Sequence, residues 1–343
     1  MCLGATVATR ICRALRQSDA RRTASCLRSE ARSGRSNRRN TQEPTVTHAA
    51  TWSVTRLTGT FGAELTGLDL ADSAAAAQIP ALLAAYRVLA VRDQDLAPGA
   101  QVALARVLGE PTPAHPVLPG LPGHPEILVL DGESGGRNAR WHTDVTFIAR
   151  PHAAAILVAD IVPEFGGDTL FADLHSAYDA LSAPLRAAVD QLRAVHRIAP
   201  LAYWGEPFDT GLSRADAADL RAAADRVAPV IHPVVRVDPR TGRRGLFVNR
   251  GFTSHLVGLS RIESDGLLDL LYRHIEQPEL TLRHRWRSGD VLIWDNRATS
   301  HYAVDDYGHT ARRVRRVTIA GEIPVGPDGF ASQVSEDPLV TVR

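Results

Sequence analysis

Lysine is missing from this chain altogether: all 39 basic side chains of its 343 residues are arginine. With alanine so abundant, that reads as the mark of a GC-rich coding sequence and not of a function. Cysteine is almost as scarce. Cys2, Cys12 and Cys26 are the three present, so everything after them lacks disulfides, thiolate metal sites and a cysteine nucleophile. No apolar run reaches the roughly 18 residues of a membrane span. A formal net charge of +1 gives no electrostatic case for nucleic acid or for an anionic membrane. What is there, 44% hydrophobic and 22% charged residues, is ordinary for a globular protein of one large domain or two small ones.

The first 48 residues differ from the rest. They are rich in Arg and Ser and poor in acids, and they cannot bury enough surface to order themselves. That composition fits an organelle-targeting peptide, without a secretory apolar core. The preferred expectation is a disordered tail, one source of which would be a start codon assigned too far upstream. Residues 49–330 are expected to form the folded body and 331–343 a C-terminal tail.

Along the body, short strand-like stretches recur between turn signals: 52–57, "VLAVRD", 126–131, 153–160, 168–173, 192–198, 230–237, 245–249, and four more from "LTLRHRW" to "RVRRVTIAG". Apolar spacing predicts helices over 74–86, 99–109, 175–182, 184–191 and 260–277, the last opened by a Ser260–Glu263 capping pattern. "DPRTGR" has the chemistry of a hairpin turn. The stretch 203–228, polar and Ala-rich, reads as an insertion with one exposed helix, a candidate lid or subunit contact. The predicted fold class is a β-rich α+β protein with a double-stranded β-helix (jelly roll) core and flanking helices.

"RWHTDVTFIA" (140–149) would suit a buried, extended segment, yet it carries an ionisable pair. Burying a carboxylate is costly unless it is paired or bound to a metal. In an extended segment residues i and i+2 point to one side, so His142 and Asp144 would converge. "SGDVLIWDNRATSHYAVDDY" (288–307) supplies His301 near a strand end. Two histidines and one carboxylate on one face make the donor set of non-haem Fe(II) oxygenases, with positions left open. Each piece alone has an ordinary reading as a solvated or hydrogen-bonded residue; His232 and His284 are read that way. Past His301, "ARRVRRVTIAG" sends Arg312, Val314 and Arg316 to one face of a strand, and Arg313 and Arg315 to the other. Arg313 and Arg315 are expected to be solvated. Arg312 and Arg316 would face the metal, where a bidentate fork suits a carboxylate or sulfonate ligand; a structural salt bridge to an internal acid is the alternative.

The motifs "WHTDVTF", "GGDTLF", "HPVVR", "LFVNRGFT", "IWDNRATSHYAVDDY" and "RRVRRVTI", spread over about residues 50–325, resemble the taurine dioxygenase (TauD/TfdA) family of Fe(II)- and 2-oxoglutarate-dependent oxygenases. The resemblance implies the same jelly roll. By position it implies that His142, Asp144 and His301 hold Fe(II), and that Arg312 and Thr169 grip the distal carboxylate of 2-oxoglutarate, the co-substrate consumed with O2. It implies a substrate sulfonate held by Arg316 and His115, in a pocket that Asn138, Val145 and Phe252 complete. Leu118 stands where the taurine enzymes carry a tyrosine, which favours an anionic head group with an apolar tail, and relatives of that family cleave alkyl sulfate esters. The expected reaction hydroxylates the carbon beside the sulfur group and releases sulfite or sulfate, an aldehyde, succinate and CO2. Two other readings stay open: hydroxylation of a carboxylate-bearing metabolite at the same centre, and a non-catalytic ligand-binding jelly roll. The expected setting is cytoplasmic, as a homo-oligomer (dimer or tetramer), without nucleic-acid or membrane partners.

Overall fold

A computed structural model describes residues 52–114, 120–131, 139–198 and 227–335. The N-terminal 48 residues, most of the insertion at 203–228, and His115, Leu118 and Asn138 fall outside them. The strands are β1 (Ser53–Arg56), β2 (Ala63–Thr66), β3 (Val88–Val91), β4 (Leu128–Asp131), β5 (Ala154–Ile161), β6 (Thr169–Asp173), β7 (Arg193–His196) and β8 (Val230–Pro233). They continue as β9 (Val235–Val237), β10 (Arg244–Leu246), β11 (Thr253–Leu256), β12 (Thr281–His284), β13 (Val291–Asp295), β14 (Thr299–Ala303), β15 (Arg313–Ile319) and β16 (Gln333–Val334). Six helices accompany them among the described residues: α1 (Ser73–Ala76), α2 (Ile79–Tyr86), α3 (Pro98–Leu108), α4 (Leu174–Ala180), α5 (Ala183–Val189) and α6 (Arg261–Ile275). None is long and apolar enough to cross a membrane.

Seven strands form one sheet in the order β1-β2-β3-β13-β5-β15-β4, antiparallel except for β2 beside β3. Its central strands are buried on both faces, which is why "VLAV" and "VLIW" read as continuous apolar runs instead of alternating. One face, with Val91, Ile156, Val158, Ile293, Val317 and Ile319, packs on Leu82 and Leu83 of α2 and on Val102 and Ala105 of α3. The other face, with Ala90, Leu157, Leu292, Trp294 and Val314, packs on Phe171 and Leu282 of a second sheet, β12-β6-β14. A four-stranded sheet, β11-β7-β8-β16, and the β9–β10 hairpin complete the architecture. The protein is thus a sheet-rich α+β fold with a polar site between sheets.

Several boundaries differ from expectation for local reasons. The helix expected over 74–86 breaks in two because Pro80 lies in the first turn of α2; its ring cannot accept a continuing helix. Pro233 likewise divides the expected strand 230–237, so that β8 pairs with β7 and β9 with β10. Strands β2 and β11 were not anticipated; four residues beside glycine are too few to show a period. Gln333 and Val334, placed in the expected C-terminal tail, form β16, which pairs with β8. The Ser260–Glu263 capping box and the "DPRTGR" hairpin are both present.

Charges are buried at the end of β13. Asp295 has no solvent exposure; its carboxylate accepts from the Arg240 guanidinium and from the Arg297 backbone N–H (3.0 Å). Arg297 and Arg236 meet again at Glu322. His175 and His232 are buried as well and are pushed down to about 4, in both cases by burial first. An unfolded histidine titrates near pH 6.5, so between those values the unfolded chain binds more protons than the folded one. Their contribution is fully present above about pH 6.5 and is lost as the pH falls toward 4, by up to about 1.4 kcal/mol per pH unit for each group. Urea unfolding at pH 7.5 and pH 5 should show this loss; equal midpoints would contradict it.

Candidate active site

The site is built around one pair of backbone bonds. His142 N–H donates to His301 C=O (2.9 Å) and His301 N–H donates to His142 C=O (2.7 Å), so residue 142 adds itself to the edge of β14. His301 in turn stands opposite Phe171 of β6, on the inner face. The two imidazoles lie 4.1 Å apart between centroids. Hydroxyls lock the pairing: Ser300 Oγ donates to His142 C=O (3.1 Å), and Thr143 Oγ1 to Thr299 C=O (3.1 Å).

The expected extended run stops at this bridge. From Asp144 the chain turns, and Val145 takes a left-handed φ of 48°. The turn is clamped by Asn296, whose Oδ1 accepts from Asp144 N–H (2.9 Å) while Nδ2 donates to Asp144 C=O (3.2 Å) and His152 C=O (2.9 Å). Convergence of His142 and Asp144 therefore comes from a bridge and a turn, not from strand alternation.

The result is a compact donor set. One ligand-type atom from each of His142, Asp144 and His301 lies within 4.8 Å of the others, and all three residues are buried. Asp144 Oδ1 is 3.7 Å from His142 Nε2 and 3.8 Å from His301 Nε2. His142 Nδ1 lies 2.8 Å from Arg140 C=O, which can only accept; the proton is therefore on Nδ1, and Nε2 is the unprotonated, ligand-type nitrogen. Burial lowers both histidines, His301 to about 3, so both imidazoles are neutral at physiological pH. Burial alone would raise the Asp144 carboxyl, but Arg316 above all, then His301 and His142, holds it below the usual carboxylate range. Its Oδ2 is buried without a hydrogen-bond partner among the described residues. Two neutral imidazoles and an ionised carboxylate with a spare oxygen fit a divalent metal with open positions.

Arg312 and Arg316 both turn inward. Arg316 Nη1 lies 3.4 Å from Asp144 Oδ1, and its Nε has no partner among the described residues. The arginine thus pairs with an internal acid and still has donors to spare. Arg312 has no carboxylate partner among the described residues, and its Nε is a buried, unsatisfied donor. Its guanidinium lies 5.8 Å from the Trp286 ring centroid and 5.9 Å from that of Tyr307. Gly167, at φ +68°, lets the chain pass beside it, since a Cβ there would lie 3.2 Å from Arg312 Cδ. Nearby, Trp286 Nε1 donates to Thr169 Oγ1 (3.0 Å). Phe252 lies 5.0 Å from Phe147 and 6.2 Å from His142, ring to ring, and Val145 is half-buried.

Arg313 is exposed and paired with Asp131, as expected for the outer face. The expectation fails for Arg315. Its side chain is only 12% exposed, bonds Asp160 and donates to Leu96 C=O (2.8 Å) and Gln101 Oε1 (3.3 Å). The outer face of β15 is covered by α3, not water; Arg313, at the strand end, escapes it. His232 and His284 are both buried and not solvated: His232 is satisfied at both ring nitrogens, while His284 Nε2 lies 3.3 Å from Asp290 Oδ2 without a hydrogen bond among the described residues. Sequence reasoning missed Asn296 and Trp286. Both stand between charged neighbours, Asp295 and Arg297 for the amide and Arg285 and Arg287 for the indole, so the local sequence carries no signal of a buried role.

The model of the taurine catabolism dioxygenase TauD, TfdA family matches residues 53–318. The chain belongs to this family. It is 40% identical over 301 residues to an alpha-ketoglutarate-dependent sulfate ester dioxygenase of Pseudomonas putida, covering 85% of this chain and 97% of that one. It is 37% identical to an alkylsulfatase of Acinetobacter baylyi, covering 82% and 88%. Among solved structures, a taurine dioxygenase from Burkholderia xenovorans superposes with a TM-score of 0.70 at 40% identity, covering 83% and 95%. This family member is an oxidoreductase, a dioxygenase that uses 2-oxoglutarate and O2.

Proposed function

We propose that the protein hydroxylates the carbon beside the sulfur group of an alkyl sulfate or a small organosulfonate, on a jelly-roll scaffold with Fe(II) as its metal. The observation that carries this reading is the His142, Asp144, His301 donor set beside two inward arginines, one of them without an acid partner among the described residues. Bound there, Fe(II) would supply the activation of O2 and the oxidation of the C–H bond.

The chain's own residues supply orientation. His142 Nε2, His301 Nε2 and an Asp144 oxygen would hold the metal. Arg312 presents its free donors to the distal carboxylate of 2-oxoglutarate, between two aromatic rings that keep water away. Thr169 Oγ1 already accepts from Trp286, which leaves its own proton to donate to the same carboxylate. Arg316, with His115, takes the anionic head of the substrate; Asn138, Val145 and Phe252 line the way for its carbon chain. Hydroxylation then leaves a carbon that collapses to an aldehyde and expels sulfate or sulfite. Leu118, in place of tyrosine, favours an apolar tail over the amine of taurine.

A panel of alkyl sulfates, alkanesulfonates and taurine, followed by succinate, sulfate and sulfite release, tests this. Alkyl sulfates are expected to drive the fastest turnover with equimolar sulfate. Turnover only with carboxylates, and no sulfur product, would overturn the reading. The two arginines should also fail differently. A charge-assisted hydrogen bond contributes about 1.5–3 kcal/mol, or roughly tenfold to a hundredfold in affinity. Arg312→Ala should raise KM for 2-oxoglutarate by that factor; Arg316→Ala should raise KM for the sulfur substrate instead. Identical behaviour of the two variants would refute the assignment.

A further inference from the structure

Asn249 belongs to the "LFVNRGFT" stretch but has no part in the site so far. It is 3% exposed, between β10 and β11, and every polar group it has is engaged. Its Nδ2 donates to Thr146 Oγ1 (3.0 Å) and its Oδ1 accepts from Phe252 N–H (2.9 Å). Its own N–H donates to Thr253 Oγ1 (2.9 Å), and its C=O accepts from Thr253 N–H (3.1 Å). We propose that Asn249 is a positioning residue that joins Val145 and Phe252, the two apolar walls of the substrate pocket, into one unit. The proposal rests on the pocket assignment above.

Thr146 Oγ1 accepts from Asn249 Nδ2 and is hydrogen-bonded to His196 Nδ1 (3.0 Å). His196 Nε2 is in turn hydrogen-bonded to Thr253 Oγ1 (3.2 Å), the hydroxyl that also receives Asn249 N–H. His232 Nε2 donates to Thr146 C=O (2.7 Å). Thr146 is therefore held at hydroxyl and carbonyl by the β7–β8 pair and the Asn249 turn, while Asp144, two residues earlier, is held at N–H and C=O by Asn296. Val145 lies between two fixed neighbours.

That explains how a β-branched residue stays at φ 48°. Such a conformation is unfavourable by about 1–3 kcal/mol and persists only where its surroundings over-determine it. The same turn is pressed against the donor set. A Cβ on Gly251 would lie 2.9 Å from His142 Cβ and 3.2 Å from Asn249 Oδ1, so only glycine lets the Asn249–Phe252 turn approach this closely. One amide thus fixes both Val145, through Thr146, and Phe252, through its backbone. Arg312 and Thr169, at the co-substrate end, make none of these contacts.

The test uses Asn249→Asp, which keeps the acceptor for Phe252 N–H and loses the donor to Thr146, and Thr146→Val, which breaks the same bond from the other side. Each single variant is expected to raise KM for the sulfur substrate roughly fivefold or more, the size of one lost buried hydrogen bond. KM for 2-oxoglutarate should stay within about twofold. Because both changes cut one link, the double variant should be no worse than the worse single one. Crystal structures of the metal-free variants give a readout independent of any substrate: Val145 is expected to leave the left-handed region. Parallel rises in both KM values, multiplied effects in the double variant, or an unmoved Val145 would overturn the proposal. If no sulfur compound is a substrate of the native protein, the functional reading fails, and the Val145 geometry still decides this one. Should Asn249→Asp not fold, Thr146→Val alone carries both measurements.

Discussion

Asp144→Ala is expected to lower 2-oxoglutarate turnover by at least about a hundredfold, a loss that even an outer partner of a metal ligand can cause. The fold should survive. Asp144 is held in its turn by backbone bonds to Asn296, which an alanine keeps, so the main chain loses nothing. The buried Oδ2 has no partner among the described residues to orphan. Arg316 loses a 3.4 Å contact but keeps partial access to water. The melting temperature without metal should therefore move by only a few degrees, the shift of about 1 kcal/mol in a chain of this size. Added Mn(II) or anaerobic Fe(II) should stabilise the native protein and leave the variant unmoved, because a ligand stabilises only the state it binds. Native-like succinate formation in the variant, or an undiminished metal-induced shift, would remove Asp144 from the donor set.

Asp295→Ala should strike stability instead. Asp295 is fully buried at the end of β13, and its removal leaves Arg240 and Arg297 facing a cavity without its charge. Arg240 keeps Asp238 and Arg297 keeps Glu322, so the cost is that of the lost charge-assisted hydrogen bonds, about 1.5–3 kcal/mol, still a large part of the whole stability of a domain. The urea midpoint should fall accordingly. Asp265→Ala, which removes an exposed pair with Arg261 on α6, is the control and should change stability by less than about 1 kcal/mol. Equal midpoints for the two variants would mean that the charge network at β13 is no more than a surface feature.

The comparison of Arg313, Arg315 and Arg316 shows how far the sequence could be read. Period two assigned Arg316 to the inner face correctly, because alternation is a property of the strand itself. It could not say what covers the outer face. Arg315 meets Gln101 and Leu96, which are more than two hundred residues away, so its burial is a fact of packing alone. The donor set was legible for a different reason: ionisable residues inside apolar runs are rare enough to stand out. The turn at Val145 was not, since "VTF" has strong strand propensity that the clamps on Asp144 and Thr146 override. Asn296 and Asn249 are invisible in the same way, as an amide announces neither its partners nor its burial.

The arginine that pairs with Asp144 bears on the kind of anion the site can accept. Asp144 contributes one negative charge; Arg312 and Arg316 contribute two positive ones, and the histidines are neutral. A divalent metal and the dianion of 2-oxoglutarate cancel each other. What is left, counted over these described residues, is a single positive charge among buried groups. A sulfate monoester or sulfonate, with one negative charge, brings the filled site to neutrality. A phosphate monoester of the same shape carries close to two at pH 7 and would overshoot. The site should therefore tell sulfate esters from phosphate esters by charge, without needing any contact that distinguishes sulfur from phosphorus.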